Sequence, residues 1–315
     1  MSSLVETRAV EDAARAIQAV AVRTPLLPAP WLAEEIGAEV RLKCENLQRA
    51  GAFKIRGAYN LISRLADDDR RRGVITYSSG NHAQAVALAA REFGIPATVV
   101  MPTTAPTVKR EGAAALGAEV ILEGTTSIER QKRAESIAAE RGLTMVPPFD
   151  HPDIIAGQGT VGKEILEDWG EVEDIIVPIG GGGLISGTAA WIKQIRPSCR
   201  IIGVEPEGAD AMRTSIQEGR PTTIQVRQSL ADGLLPARPG DLTFAHVREF
   251  VDEIITLTDD EIRDAADRIL RAGKLLVEYS GAATVAALTS RRWQPRGRNT
   301  VAILSGGNRD MPGSI

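Results

Sequence analysis

The chain has 315 residues, 43% hydrophobic and 25% charged, so it can bury a sizeable core and wholesale disorder is excluded. Lys and Arg total 37 against 41 Asp and Glu, a formal net charge of −4, and the longest basic run is Arg70-Arg71-Arg72, a poor match to a nucleic-acid binder. Two cysteines, Cys44 and Cys199, cannot build a disulfide framework or a closed metal site and read as the reduced thiols of a cytoplasmic protein.

In chain order, residues 1–22 mix Glu6, Arg8, Glu11, Asp12 and Arg15 into an Ala-rich helical pattern, which is not a signal peptide. Val74–Tyr77 then predicts a buried strand, followed by a helix over about 82–93. Ala97–Met101 precedes a helix over 109–116, and the run 118–122 precedes one over 127–140. The run 175–177 leads through glycines into a helix over 184–195, and 200–204 and 300–304 are further buried-strand candidates. Residues 175–192 are uncharged and long enough to span a bilayer. Pro178 and the five glycines there would leave backbone groups unbonded in lipid, so no membrane span is expected.

Strands alternating with helices predict an α/β fold with mostly parallel sheet. Boundaries near 70–73 and 147–148 divide it into a large domain, 1–72 with 149–315, and a small inserted α/β domain, 73–148. The chain ends soon after its last strand-like run, which predicts no C-terminal regulatory domain.

Four segments carry candidate chemistry, and three of them follow a predicted strand, where open α/β sheets bind ligands. The strongest is Gly180-Gly181-Gly182-Gly183-Leu184. Successive glycines leave backbone N–H groups unobstructed at the positive end of a helix, which makes an anion site without any cationic side chain. A flexible turn is the bland alternative. The first βα turn lacks G-x-G-x-x-G, and no Gly-Lys-Ser/Thr is present, so the anion is expected to be one small phosphate.

Lys54 lies between Phe53 and Ile55 in Ala50-Gly51-Ala52-Phe53-Lys54-Ile55-Arg56-Gly57-Ala58. Most lysines are solvated, but burial here would lower the amine pKa and make it nucleophilic toward carbonyls. With a phosphate nest, that suggests pyridoxal phosphate. Ser78-Ser79-Gly80-Asn81-His82 could cap a helix through Ser79 or Asn81, or could clamp a carboxylate. His82 alone reads as structural. Ser305 in Ser305-Gly306-Gly307-Asn308 could hydrogen-bond a ring nitrogen.

These motifs, in this order, resemble fold-type II pyridoxal-phosphate enzymes of the threonine dehydratase and serine racemase group, with the tryptophan synthase β-like fold. Phe149-Asp150, Gly157-Gln158-Gly159-Thr160, Gly203-Val204-Glu205-Pro206 and Asp232-Gly233 extend the resemblance over nearly the full length. It implies that Lys54 holds the cofactor as a Schiff base and acts as base, with Phe53 packed near the ring. Asn81 would bond the ring hydroxyl, Gly180, Gly181, Gly182, Gly183 and the Leu184 amide the phosphate, and Ser305 the pyridine nitrogen. Ser78, Ser79, Gly80, Asn81 and His82 would bind the substrate, with Ser79 also the candidate for proton delivery from the opposite face.

The implied activity is a lyase releasing ammonia and a 2-oxo acid from a small β-hydroxy amino acid, L-threonine or L-serine. Serine racemase and phenylserine or hydroxyaspartate dehydratase are the alternatives, with a non-catalytic phosphate-ligand sensor from another class. Relatives are commonly homodimers or homotetramers. Two departures stand out: Ala50, where relatives carry a hydroxyl residue, and Tyr279, where proline is common, together suggesting a bulkier β-substituent. The cation site of racemase relatives would use Glu205, but Ala211 stands where they carry an aspartate, so a divalent cation is doubtful.

Overall fold

A computed structural model describes residues 4–78 and 80–310 of the chain. Its strands are β1 (Leu26–Pro28), β2 (Glu39–Lys43), β3 (Val74–Tyr77), β4 (Ala97–Met101), β5 (Glu119–Leu122), β6 (Thr144–Met145), β7 (Asp174–Pro178), β8 (Arg200–Pro206), β9 (Glu253–Leu257) and β10 (Asn299–Ile303). They form a six-stranded sheet of order β1-β2-β10-β7-β8-β9 and a four-stranded sheet of order β5-β4-β3-β6. Only β1 runs antiparallel to its neighbour, as the pattern of alternating strands and helices predicts.

The six-stranded sheet is buried on both faces, and successive side chains of one strand enter opposite cores. Ile175, Val177, Ile201, Val301 and Ile303 pack with Ile155, Val161 and Ile185 on one side. Ile176, Ile202, Val204 and Ala302 pack with Leu42, Ala282, Ala283 and Ala286 on the other. The four-stranded sheet repeats this: Val74, Val99 and Met101 face a core shared with Ile55, Ile62 and Val86, while Ile75 and Val100 face Ala134 and Ile137. These alternations explain why uninterrupted apolar runs became strands rather than helices.

The predicted elements recur with shifted ends. The helices run Asn81–Phe93, Thr107–Ala115, Ser127–Arg141 and Gly183–Ile195, and β8 continues to Pro206. Strands β1, β2, β6 and β9 were not expected from the sequence. Among the described residues no helix is long and apolar enough to cross a membrane. Both cysteines are free and buried, and burial pushes each thiol up to about 12.

Candidate active site

The segment carrying Lys54 is pinned beside the end of β10. Ala52 bridges Gly306, and the Phe53 N–H donates to the Ser305 carbonyl at 3.2 Å. Lys54 caps the helix Ile55–Ser63 and is half-buried, and its Nζ donates to the Pro148 carbonyl at 2.7 Å. Burial lowers its pKa to about 8, against the opposing pull of Glu278. Its amine lies 5.1 Å from the centre of the Phe53 ring.

The residue after Pro148 ties the amine to the glycine loop. A Cβ on Gly181 would stand 2.1 Å from the Phe149 ring, so only glycine permits this approach. Gly182 has φ +94, and a Cβ there would meet Met212 Cε at 2.7 Å and Thr243 Cβ at 2.9 Å. Among the described residues, no acceptor takes the backbone N–H groups of Gly180, Gly181, Gly182, Gly183 or Leu184, and the last four of these residues are buried. Buried orphan donors are costly unless an acceptor arrives. A small phosphate fits that cradle.

Asn81 begins the helix that follows β3. Its Nδ2 donates to Glu278 Oε1, and its Oδ1 accepts from Asn308 Nδ2 at 3.0 Å, leaving one amide N–H without a partner among the described residues. The N-cap of this helix is Gly80 and carries no side-chain cap, while Ser78 Oγ accepts from Gly80 N–H at 3.1 Å. Ser79, expected to act in both substrate binding and proton transfer, lies outside the described residues.

His82 is buried, with Nε2 on the Val146 carbonyl at 3.0 Å, which assigns the ring proton to that nitrogen. Burial and then the nearby Lys54 charge push its pKa down to about 3, so the ring stays neutral and is committed to structure. Its backbone N–H lies in the first turn of the helix Asn81–Phe93. Ser305 is buried, and its hydroxyl has no protein partner among the described residues.

The site contains two groups that sequence reasoning missed. Lys109, on the helix after β4, is 2% exposed, and its Nζ lies 2.7 Å from Asp232 Oδ2 and 3.0 Å from Glu278 Oε2. Burial disfavours its charge, but the two carboxylates outweigh that and raise its pKa; burial likewise raises that of Glu278. The lysine stem lies directly over Gly80. A lysine on an amphipathic helix reads as solvated, and nothing local signals partners more than a hundred residues away.

Ala50 and Tyr279 flank this region. Ala50 holds φ 58, and its carbonyl accepts from Asn308 Nδ2 at 2.8 Å. The Tyr279 hydroxyl accepts from Arg309 at 2.7 Å, and the guanidinium stacks 4.0 Å from its ring centre. Glu205 is spent on the helix Ala211–Glu218, accepting from the Met212 and Arg213 amides at 2.9 Å each. Burial pushes its pKa up to about 8. Among the described residues no three metal-ligating side chains cluster.

The family model described as pyridoxal-phosphate dependent enzyme matches residues 17–306. An L-threonine ammonia-lyase of Thermotoga maritima is 45% identical over 96% of this chain and 75% of its own length. An L-threo-3-hydroxyaspartate ammonia-lyase of Saccharomyces cerevisiae is 41% identical over 96% of this chain and 93% of its own. The solved structure of maize serine racemase is 39% identical and superposes with a TM-score of 0.95, covering 98% of this chain and 95% of that one. Matched over residues 17–306 and 45% identical to a relative over 96% of its length, the chain belongs to the family of pyridoxal-phosphate-dependent enzymes.

Proposed function

We propose that the protein is an ammonia-lyase that converts a β-hydroxy amino acid, L-threonine or L-serine, to a 2-oxo acid and ammonia. The observation that carries this reading is the Lys54 amine, half-buried with its pKa lowered to about 8, sharing the 148–149 segment with the glycine loop. The threonine and hydroxyaspartate ammonia-lyases among its relatives support the same reaction class.

The cofactor, when bound, supplies an aldehyde that condenses with an amine and a ring that delocalises the electron pair left when an α-proton departs. The amides of residues 180–184 would hold its phosphate, Asn81 its ring oxygen and Ser305 its ring nitrogen. A hydroxyl partner leaves that nitrogen largely unprotonated, which suits elimination, where the leaving group departs early. The first-turn amides of Asn81 and His82 would take the substrate carboxylate. Lys54 Nζ would remove the α-proton: an amine with a pKa lowered to about 8 has a far larger neutral fraction near neutral pH than an ordinary lysine, yet is basic enough to accept it.

Cofactor uptake should report that amine directly. Only neutral lysine attacks an aldehyde, so the rate at which cofactor-free protein captures pyridoxal phosphate should rise with pH and level off above about 8. Stopped-flow uptake that keeps climbing to pH 10 would mean an ordinary, solvated lysine.

A substrate panel of threonine, serine, phenylserine and hydroxyaspartate, with both oxo acid and product enantiomer recorded, tests the activity. Oxo acid from threonine or serine as the main product is the expected outcome. The likeness to serine racemase supports a second reading, in which D-serine would dominate. The 73–148 insertion would act as the small domain over the site. A cytoplasmic location, supported by two free buried thiols, and a homodimer or homotetramer, supported by the resemblance, complete the proposal.

A further inference from the structure

Thr243 is fully buried, and all its polar atoms are committed. Its N–H donates to Asp150 Oδ1 at 3.0 Å, and its carbonyl accepts from the Ser186 hydroxyl at 3.3 Å. Its own hydroxyl donates to the Gly181 carbonyl at 2.7 Å, with the Gly240 carbonyl farther off at 3.2 Å. Asp150 also takes the N–H groups of Asp241 and Leu242 at 3.0 Å each, so one carboxylate caps the helix Asp241–Phe250 at its positive end. That aspartate directly follows Phe149, whose ring covers Gly181.

The planar peptide turns this grip into an orientation. The carbonyl of Gly181 and the N–H of Gly182 belong to one rigid unit and point in opposite directions. Holding the carbonyl on Thr243 therefore aims the Gly182 N–H away from the helix Asp241–Phe250. Neither glycine can fix that plane with a side chain of its own, and a glycine run free to rotate would lose entropy on ordering around a ligand.

We propose that Thr243 is the positioning residue of the glycine loop: its hydroxyl fixes the Gly181 peptide so that the Gly182 N–H meets the cofactor phosphate, and Asp150 holds the threonine in register. This rests on the loop being the phosphate cradle. The test titrates pyridoxal phosphate and pyridoxal, which lacks the phosphate, onto the full chain freed of cofactor. Thr243→Val keeps the shape and removes the hydroxyl, and should weaken pyridoxal phosphate about tenfold while pyridoxal changes less than about twofold.

Thr243→Ser, which retains the donor, should keep the wild-type ratio of the two affinities. Equal weakening of both ligands, no weakening of either, or a lost ratio in the serine variant would each overturn the proposal. Should the valine variant misfold, Thr243→Ala is titrated in the same way. If the wild type itself binds the two ligands alike, the cradle reading beneath the proposal fails, and that is visible before any variant is made.

Discussion

Replacing Lys54 by alanine should cut turnover at least about a thousandfold, because in the proposed chemistry the same amine would form the covalent link and take the α-proton. The variant should still bind pyridoxal phosphate, since the amides of residues 180–184 are untouched. Borohydride reduction followed by mass spectrometry should find the cofactor attached to residue 54 in the wild type and to no residue in the variant. Full turnover by the variant, or attachment at Lys109 instead, would remove the basis for the proposed chemistry. Lys109 is the discriminating control, being as buried as a site lysine can be yet held charged between Asp232 and Glu278.

The second large effect lies two residues further on. Arg56 is fully buried and forks onto Glu45, with Nε to Oε2 and Nη2 to Oε1 both at 2.8 Å, and onto Glu164 at 2.7 and 2.9 Å. Lys43, also buried, bonds Glu164 at 2.6 Å. Burial raises the pKa of Glu45, but the Arg56 charge and hydrogen bonds outweigh it and hold the carboxyl below its ordinary range.

Arg56→Met should therefore destabilise by about 3–5 kcal/mol, because it strands a carboxylate with no access to water. Urea unfolding measures this, and adding Glu45→Gln should recover part of the loss; a change under about 1 kcal/mol would show the network to be dispensable. The sign with pH follows from the same depressed pKa. The contribution is present above the ordinary carboxylate range and is lost as pH falls through the folded-state value.

The core strands were legible because burial on both faces leaves a continuous β-branched run, as in Val74–Tyr77 or 175–177. The strands that escaped are those whose burial depends on distant partners. β2, Glu-Val-Arg-Leu-Lys, looks solvated, and its Lys43 is buried only because Glu164 and the Thr24 carbonyl wait for it. β1 carries a proline at an edge, β6 has two residues, and β9 is an edge strand only partly buried. The site divides in the same way. Lys54, the four glycines and Ser305 announce themselves through local pattern, whereas Lys109, Glu278 and Thr243 matter through contacts that only the folded chain creates.

The smaller sheet is one uninterrupted insertion, so the backbone enters it just before β3 and leaves it just after β6. The segment just after β6 also borders the candidate site, since the Pro148 carbonyl accepts from the Lys54 amine and the Phe149 ring lies against Gly181. Were the smaller sheet to move as a body, this segment would move with it. On the proposed reading, such a displacement would act on the lysine and the glycine loop together, through two neighbouring residues.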